Sequence, residues 1–365
     1  MGTVLLLYFI VTGKKFNFPK YTIAFFVLVL YYFSWTVANG EIASLRSGFI
    51  TYLFSNTWLH AVAFLILVEN TIFDDRFIKD IILFFKITIV TAFIVSLIQF
   101  VYDPFFFTPD EFRINFLTRE EFNLRLPSIF GFLTLRDVGA SFIPIMSILI
   151  GYYLFRNQKF HYLWLVLSGF VFFASKSRWI YLNLILILLQ YPLIKGINFK
   201  KVIWFSGAAL LSLILLVFLM KEAGFDFERF IEERLLSDSA STRFLAIDMF
   251  LEFFPQNPVF GSGIHVGEDL ARAIGGRSSQ IHIGYLSHLY EYGIFGSVIL
   301  FYSLYLLYLR FYRVAADSRY YGSLFALITF LAANLTLVDF SLYHYGLMFA
   351  FIFNKYIDSQ NIILT

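Results

Sequence analysis

The sequence predicts an all-α fold: a polytopic transmembrane helical bundle of ten to eleven spans, with two long external loops that contain short helices. Three observations carry this expectation. The chain of 365 residues is 59% hydrophobic and 21% aromatic but only 15% charged, where soluble domains average roughly 25% charged. Its mean hydropathy is +0.74. Apolar runs of about 20 residues, each long enough as a helix to cross roughly 30 Å of hydrocarbon, recur from one end to the other. In lipid the backbone must satisfy its own polar groups, which favours helices.

Taken in chain order, uninterrupted apolar windows fall at 21–39, 48–68, 81–102, 138–155, 162–174, 179–194, 202–220, 284–309, 320–338 and 341–356. The opening "MGTVLLLYFIVT" is apolar but short, and no small-residue cleavage site follows it, so it reads as a tilted or partial eleventh span rather than a signal peptide. The whole of 1–365 forms one integral membrane domain, with connections 103–137 and 221–283 as the two long external loops. The absence of cysteine excludes disulfides and thiolate chemistry. A net charge of +3 gives no argument for nucleic acid.

Basic residues set the orientation. Alternate connections collect Lys14, Lys15, Lys20, Arg76, Lys79, Arg156, Lys159, Lys195, Lys200, Lys201, Arg310, Arg313, Arg319 and Lys355 on one side, against Arg46, Lys176 and Arg178 in the short connections opposite. The first side is expected to be cytoplasmic, which leaves both long loops outside. Those loops hold nine arginines but only Lys221 as lysine, whereas the cytoplasmic set has nine lysines and five arginines. A guanidinium is a rigid fork that matches phosphate bidentately, so the external face looks equipped for a phosphorylated ligand. Arg113, Arg119, Arg229 and Arg234 have acidic neighbours in sequence to pair with; Arg125, Arg136 and Arg243 have fewer and stay as candidates.

Three short stretches bear on chemistry. "SKSR" (175–178) puts two cations beside the membrane; snorkelling explains Lys176, and for Arg178 snorkelling and a ligand role stand level. "SDSASTR" (237–243) precedes an amphipathic run expected to be a helix from near Ala240, ended by Pro255 and Pro258, with Gly261 and Gly263 allowing backbone to approach a ligand or a helix closely. In "QIHIGYLSHLYEYGIFG" (280–296), His282 sits at a loop-to-helix boundary. Gly284, His288, Glu291 and Phe295 then share a helical face, and Gly293 and Gly296 are expected to let a neighbouring helix come close. His288 is expected to bond a tyrosine; His282 is the candidate proton acceptor, with an unperturbed imidazole pKa of about 6.5. The six histidines make no metal-ligand spacing, so no metal and no cofactor are expected.

The order of "STR", "NPVFGSGI", His282 and "GIFG", preceded by "RLPSIFGF" (125–132) and "SKSR", resembles the O-antigen polymerase and ligase family of bacterial surface-polysaccharide assembly, over about 125–296. Ile283 departs from the Asn that many members carry after the histidine. The resemblance implies a membrane glycosyltransferase of the GT-C kind. It would move a glycan from an undecaprenyl-pyrophosphate carrier to a hydroxyl acceptor at the outer face of the bacterial inner membrane, without metal or nucleotide sugar. On that reading His282 is the catalytic base. Arg178, Arg243 and Arg125 hold the pyrophosphate, and Glu291 and His288 are supporting residues. The partners are the lipid-linked donor, the glycan acceptor and membrane lipid, with a chain-length regulator protein as a candidate. Repeat-unit polymerisation is the leading activity, ligation of finished polymer to lipid A core or protein the nearest alternative, and a lipid-linked glycan flippase or transporter the second; the last predicts internal repeats and mid-membrane charges, of which the sequence shows no repeat and Lys86 as its one basic residue within a span.

Overall fold

A computed structural model of the chain describes residues 17–38, 57–103, 106, 135–158, 163–175, 178–195, 241–263, 281, 283–335 and 346–364. Among these residues the secondary structure is helical throughout, with no strand. The helices are α1 (Lys20–Ala38), α2 (Thr57–Asn70), α3 (Asp75–Val101), α4 (Leu135–Phe155), α5 (Leu163–Ser175), α6 (Arg178–Leu188), α7 (Gln190–Lys195), α8 (Ser241–Phe253), α9 (Gly284–Ser318), α10 (Gly322–Ala333) and α11 (Leu347–Leu364). The expected span 202–220, the opening stretch and most of both long loops lie outside the described residues.

Local chemistry explains where several helices depart from the expected windows. The window 179–194 is two helices rather than one, because Pro192 has no N–H to give Leu188 and its ring clashes with that carbonyl; α6 ends there and the chain turns at Leu189. At α3 the helix starts earlier than the apolar run, at a capped turn in which the Asp74 carboxylate accepts from Phe77 N at 2.8 Å. The α9 helix continues past the apolar window to Ser318 and stops at Arg319, whose φ of 60° is left-handed. α11 runs eight residues beyond Tyr356, its polar turns held by ion pairs to other helices.

Two of these helices, Asp75–Gln99 and Gly284–Ser318, are long and apolar enough to cross a membrane, and shorter apolar helices surround them. Their outward faces are apolar too. On α3, Leu83, Phe84 and Ile87 are each more than half exposed although Ile82, Phe85 and Ile89 are buried. A helix apolar on all sides belongs in lipid or in the core of a much larger body.

The helices line up with two distinct ends. At one end three ion pairs gather around α11, two of them with its own residues: Arg310 pairs with Asp358 at 2.7 Å, Lys355 with Glu69 at 3.3 Å, and Arg156 with Asp75 at 3.4 Å. The Tyr356 hydroxyl lies between Arg156 and Asp75, and Tyr21, beside Lys20, donates to Glu69. Arg156, Arg310 and Lys355, which the charge count assigns to one side, thus share one end of the bundle. Lys86 sits over the rings of Tyr153 and Trp164, at 5.5 and 5.6 Å, which shelters its charge within a span.

Depth along the bundle is fixed by a contact between α4 and α10. A Cβ on Gly151 would lie 2.5 Å from Gly322 Cα, so the backbones touch; Ser147 Oγ donates to Gly322 O at 2.7 Å, and Gln190 Nε2 to Ser147 Oγ at 2.9 Å. Phe155 meets Tyr320. The C-terminal half of α4 and the junction of α6 with α7 therefore lie beside the start of α10, and α4 and α6 run antiparallel to it. The start of α6 and the end of α10 therefore lie toward the end of the bundle opposite the ion pairs. Replacing Gly151 with Val is expected to cost about 1–3 kcal/mol or more through overpacking against the Gly322 backbone. Thermal unfolding of the detergent-solubilised protein checks this, and an unchanged midpoint would contradict the backbone contact.

Candidate functional site

Residues 284–295 do not form the uninterrupted helical face expected of them. Gly293 has φ 64° and ψ −172°, and α9 is broken there. A break strands backbone groups, which in an apolar setting must find partners elsewhere. The loop 257–263 supplies them. Ile294 N donates to Pro258 O at 2.9 Å and Phe295 N to Val259 O at 3.0 Å; in return Ser262 N donates to Tyr290 O and Gly263 N to Glu291 O, both at 2.8 Å. The carbonyl of Tyr292 accepts from the Tyr31 hydroxyl of α1 at 2.9 Å, and the same hydroxyl reaches Phe260 O at 3.2 Å.

Glycine is required on both sides of this clamp. Gly261 (φ 80°) and Gly293 are in the left-handed region, and a Cβ on either would come within 2.4 Å of the other's backbone nitrogen. The close approach expected of Gly261 is thus to a helix. The neighbour of Gly293 is the 258–261 loop rather than another helix, a correction to the helix-packing expectation. Gly296 does face a helix: a Cβ there would lie 2.5 Å from the Tyr31 ring of α1.

The break also alters the shared face. His288 is buried, its Nε2 hydrogen-bonded to the Tyr32 hydroxyl and its Nδ1 to Ser297 Oγ at 3.0 Å. In a continuous helix residues nine apart are separated by about 13 Å along the axis, so the His288–Ser297 bond exists only because α9 is broken between them. Phe295 turns outward, half exposed, against Tyr31 and Phe260. Glu291 accepts from Ser287 Oγ at 2.9 Å. The tyrosine bond expected of His288 is present, and Tyr32 and Ser297 are its unanticipated partners.

His282 and Arg125 lie outside the described residues. The residues on either side of His282 are well held. Ile281 is buried in a cluster with Ala246, Met249 and Phe253 of α8, against which Ile283 and Leu286 also pack. Ile283 N donates to Ile281 O at 2.8 Å, and Gly284 N donates to Asn334 O, the carbonyl at the end of α10, at 3.0 Å. Arg243 lies in the first turn of α8, three residues before Ala246, and Arg178 opens α6, toward the end of the bundle at which α10 finishes. The structure thus brings the backbones of residues 178 and 243 to the same end of the bundle as the start of α9. Their side chains are outside the description.

These features define an all-helical protein of largely apolar helices, with a loop-clamped broken helix leading from a polar junction. Residues 163–301 match the family model described as O-antigen ligase, which supports the chain's place in the O-antigen ligase and polymerase family. The matched segment contains Arg178, Arg243, His282 and both sides of the clamp, and ends before α10. No curated protein sequence matches the chain. Members of the family are membrane glycosyltransferase-like enzymes, which fits a bacterial membrane protein here.

Gly293→Ala is expected to destabilise the fold by more than the roughly 1–2 kcal/mol of a left-handed residue, since the added methyl also meets the 258–261 backbone. Tyr32→Phe removes the hydroxyl bonded to the buried His288 Nε2 and is expected to cost about 1–3 kcal/mol. Both are read by thermal unfolding in detergent; wild-type stability in either variant would contradict the clamp or the buried pair.

Proposed function

We propose that the protein polymerises undecaprenyl-pyrophosphate-linked oligosaccharide repeat units, as an inverting glycosyltransferase in the bacterial inner membrane with its site on the periplasmic side. The observation that carries this is the cluster joining α8 to residues 281 and 283: it supports an arrangement in which a histidine and two arginines from separate segments meet at one end of the bundle.

The chemistry needs few groups. His282 takes the proton of the acceptor hydroxyl as its oxygen attacks the anomeric carbon, and the bond from that carbon to the pyrophosphate oxygen breaks. Both leaving electrons go to the pyrophosphate, whose growing charge Arg178 and Arg243 stabilise, with Arg125 a further cation. One displacement inverts the anomeric configuration. The arginines act as forks and positioned charges, so an exchange to lysine is not conservative. The apolar outer faces of the helices suit a polyprenyl tail lying alongside in lipid, and a chain-length regulator is a candidate partner.

Ligation of finished polymer to a lipid A core or protein acceptor is the second reading, favoured by the description of the matching family. It uses the same donor and the same roles and differs only in the acceptor.

Complementation of a polymerase-deficient strain with wild type, His282→Ala, Arg178→Ala and Arg243→Ala, at matched expression, tests the proposal through glycan length on a gel. Each variant is expected to lose laddering by a factor of about 100 or more, the usual scale for removing a general base or a charge stabiliser. Accumulation of single-repeat glycan marks polymerisation; loss of capped lipid with intact carrier-linked polymer marks ligation. Normal laddering from His282→Ala removes it as the base.

A further inference from the structure

We infer that the groove between α1 and α9 binds an anionic glycerophospholipid, with its phosphate at Lys20 and one acyl chain lying along the groove. The inference rests on these helices crossing a bilayer and is independent of the transfer chemistry proposed above.

The groove follows from the way the two helices pack. Near the break in α9 they meet closely, with the Tyr31 ring against Gly296, and Lys20 at the start of α1 comes beside Leu306, so the helices run antiparallel. Between these two levels a gap of about 390 Å³ opens, floored by Ala24, whose side chain is small, and by Ile299. Ile23 and Val27 of α1 and Val298 and Tyr302 of α9 wall it, each about half exposed on the outer face of the bundle. From Val27 to Lys20 it runs seven residues, about 10 Å of helix. Lys20 closes the end that carries the ion pairs, next to Tyr21, which donates to Glu69.

Charge selects the occupant. The carboxylates near this end are engaged: Glu69 by Lys355 and Tyr21, Asp358 by Arg310, and Asp317 by Arg313. Lys20 has no acidic partner among the described residues. An ammonium on a flexible stem attracts a phosphate as a point charge, and basic positions between membrane helices on the cytoplasmic side take anionic head groups. The charge count assigns this end to the cytoplasmic leaflet. The rest of the groove is apolar and faces the surrounding lipid, so it suits a hydrocarbon chain. A partner helix, 10–12 Å across, would ride over such a groove rather than lie in it. The donor of the proposed transfer has its pyrophosphate at the opposite end of the bundle, so a lipid headed at Lys20 is a different molecule. Packing in the groove offers a chain little that the bilayer does not, and the preference therefore resides in the head group. A chain bound there fills the space between α1 and α9 below the Tyr31–Gly296 contact and braces the longer part of α9 against α1.

Native mass spectrometry of the detergent-purified protein, given equal amounts of phosphatidylglycerol and phosphatidylcholine, reads the site. Wild type is expected to retain phosphatidylglycerol in about fivefold excess, the scale of one lysine beside an anionic head group. Lys20→Arg should keep that preference and Lys20→Gln should bring the two lipids to parity. Val298→Trp, which places an indole at the rim of the groove, should lose both. Leu83→Trp, on an exposed face of α3 outside the groove, should change neither. Phosphatidylglycerol should also raise the unfolding temperature of wild type and of Leu83→Trp, and leave that of Val298→Trp unmoved. Parity in wild type, an undiminished preference in Lys20→Gln, or full retention by Val298→Trp overturns the inference. So does displacement of the lipid by glycerol 1-phosphate, which shows that charge alone makes the site. Preferential retention of undecaprenyl phosphate would give the groove to the carrier lipid, and a wild-type dimer that Val298→Trp dissociates would give it to a second copy; either result overturns the inference.

Discussion

The site region depends on one constraint: α9 is broken at Gly293, and the backbone groups freed by the break must be satisfied in an apolar surrounding. The loop 257–263 does this from both directions, donating to Tyr290 and Glu291 and accepting from Ile294 and Phe295, while Tyr31 of α1 meets the remaining carbonyl. An unmet buried backbone group costs about 1–3 kcal/mol, so the break and the loop stabilise each other and neither conformation is favourable alone. The positive φ values and mutual contact of Gly261 and Gly293 follow from this pairing. So does the His288–Ser297 bond, which a continuous helix would forbid.

The clamp has a functional consequence because of where its ends lead. The loop follows α8 directly through the turn at Phe254–Gln256, and the first half of α9 leads back to residue 284, so clamping loop to break also draws α8 onto the residues beside His282. Meanwhile α10 ties the start of α9 to the bundle through the Asn334 carbonyl, and the Gly151–Gly322 contact sets the depth of α10 against α4 and α6. Three segments distant in sequence are in this way brought to one end. The ion pairs around α11 occupy the other. A proton acceptor and forked cations at the first end would stand clear of structural charge at the second, as a glycosyl transfer at one membrane face requires.

The helical class was legible because composition and apolar run length report it directly, and the charge count grouped Arg156, Arg310 and Lys355, which the structure brings to one end. Gly261 and Gly293 announced close backbone approach, since few other reasons put glycine at such positions. What the sequence hid was the break itself: nothing in "EYGIFG" distinguishes a glycine that packs from one that interrupts, and the decision lies in a loop about thirty residues upstream. Periodicity therefore assigned Phe295 to the face of His288, on the wrong side of the break. Tyr31 and Tyr32 were hidden within an aromatic-rich span, their hydroxyls the only sign that a tyrosine there does more than fill space. The break at Pro192 was available from the residue itself, but an apolar window overrode it. Side chains at 178, 243 and 282 are legible only as residue types with a shared sidedness.

The central claim is that residues 178, 243 and 282 meet at the outer face of the membrane. Because the chain contains no cysteine, paired cysteines can be introduced at 178 and 282 and at 243 and 282 without background. Treatment of intact spheroplasts with a short, membrane-impermeant bis-maleimide is the direct measurement. The account predicts an intramolecular cross-link in both pairs; cross-linking in neither, or only after the membrane is permeabilised, would contradict it.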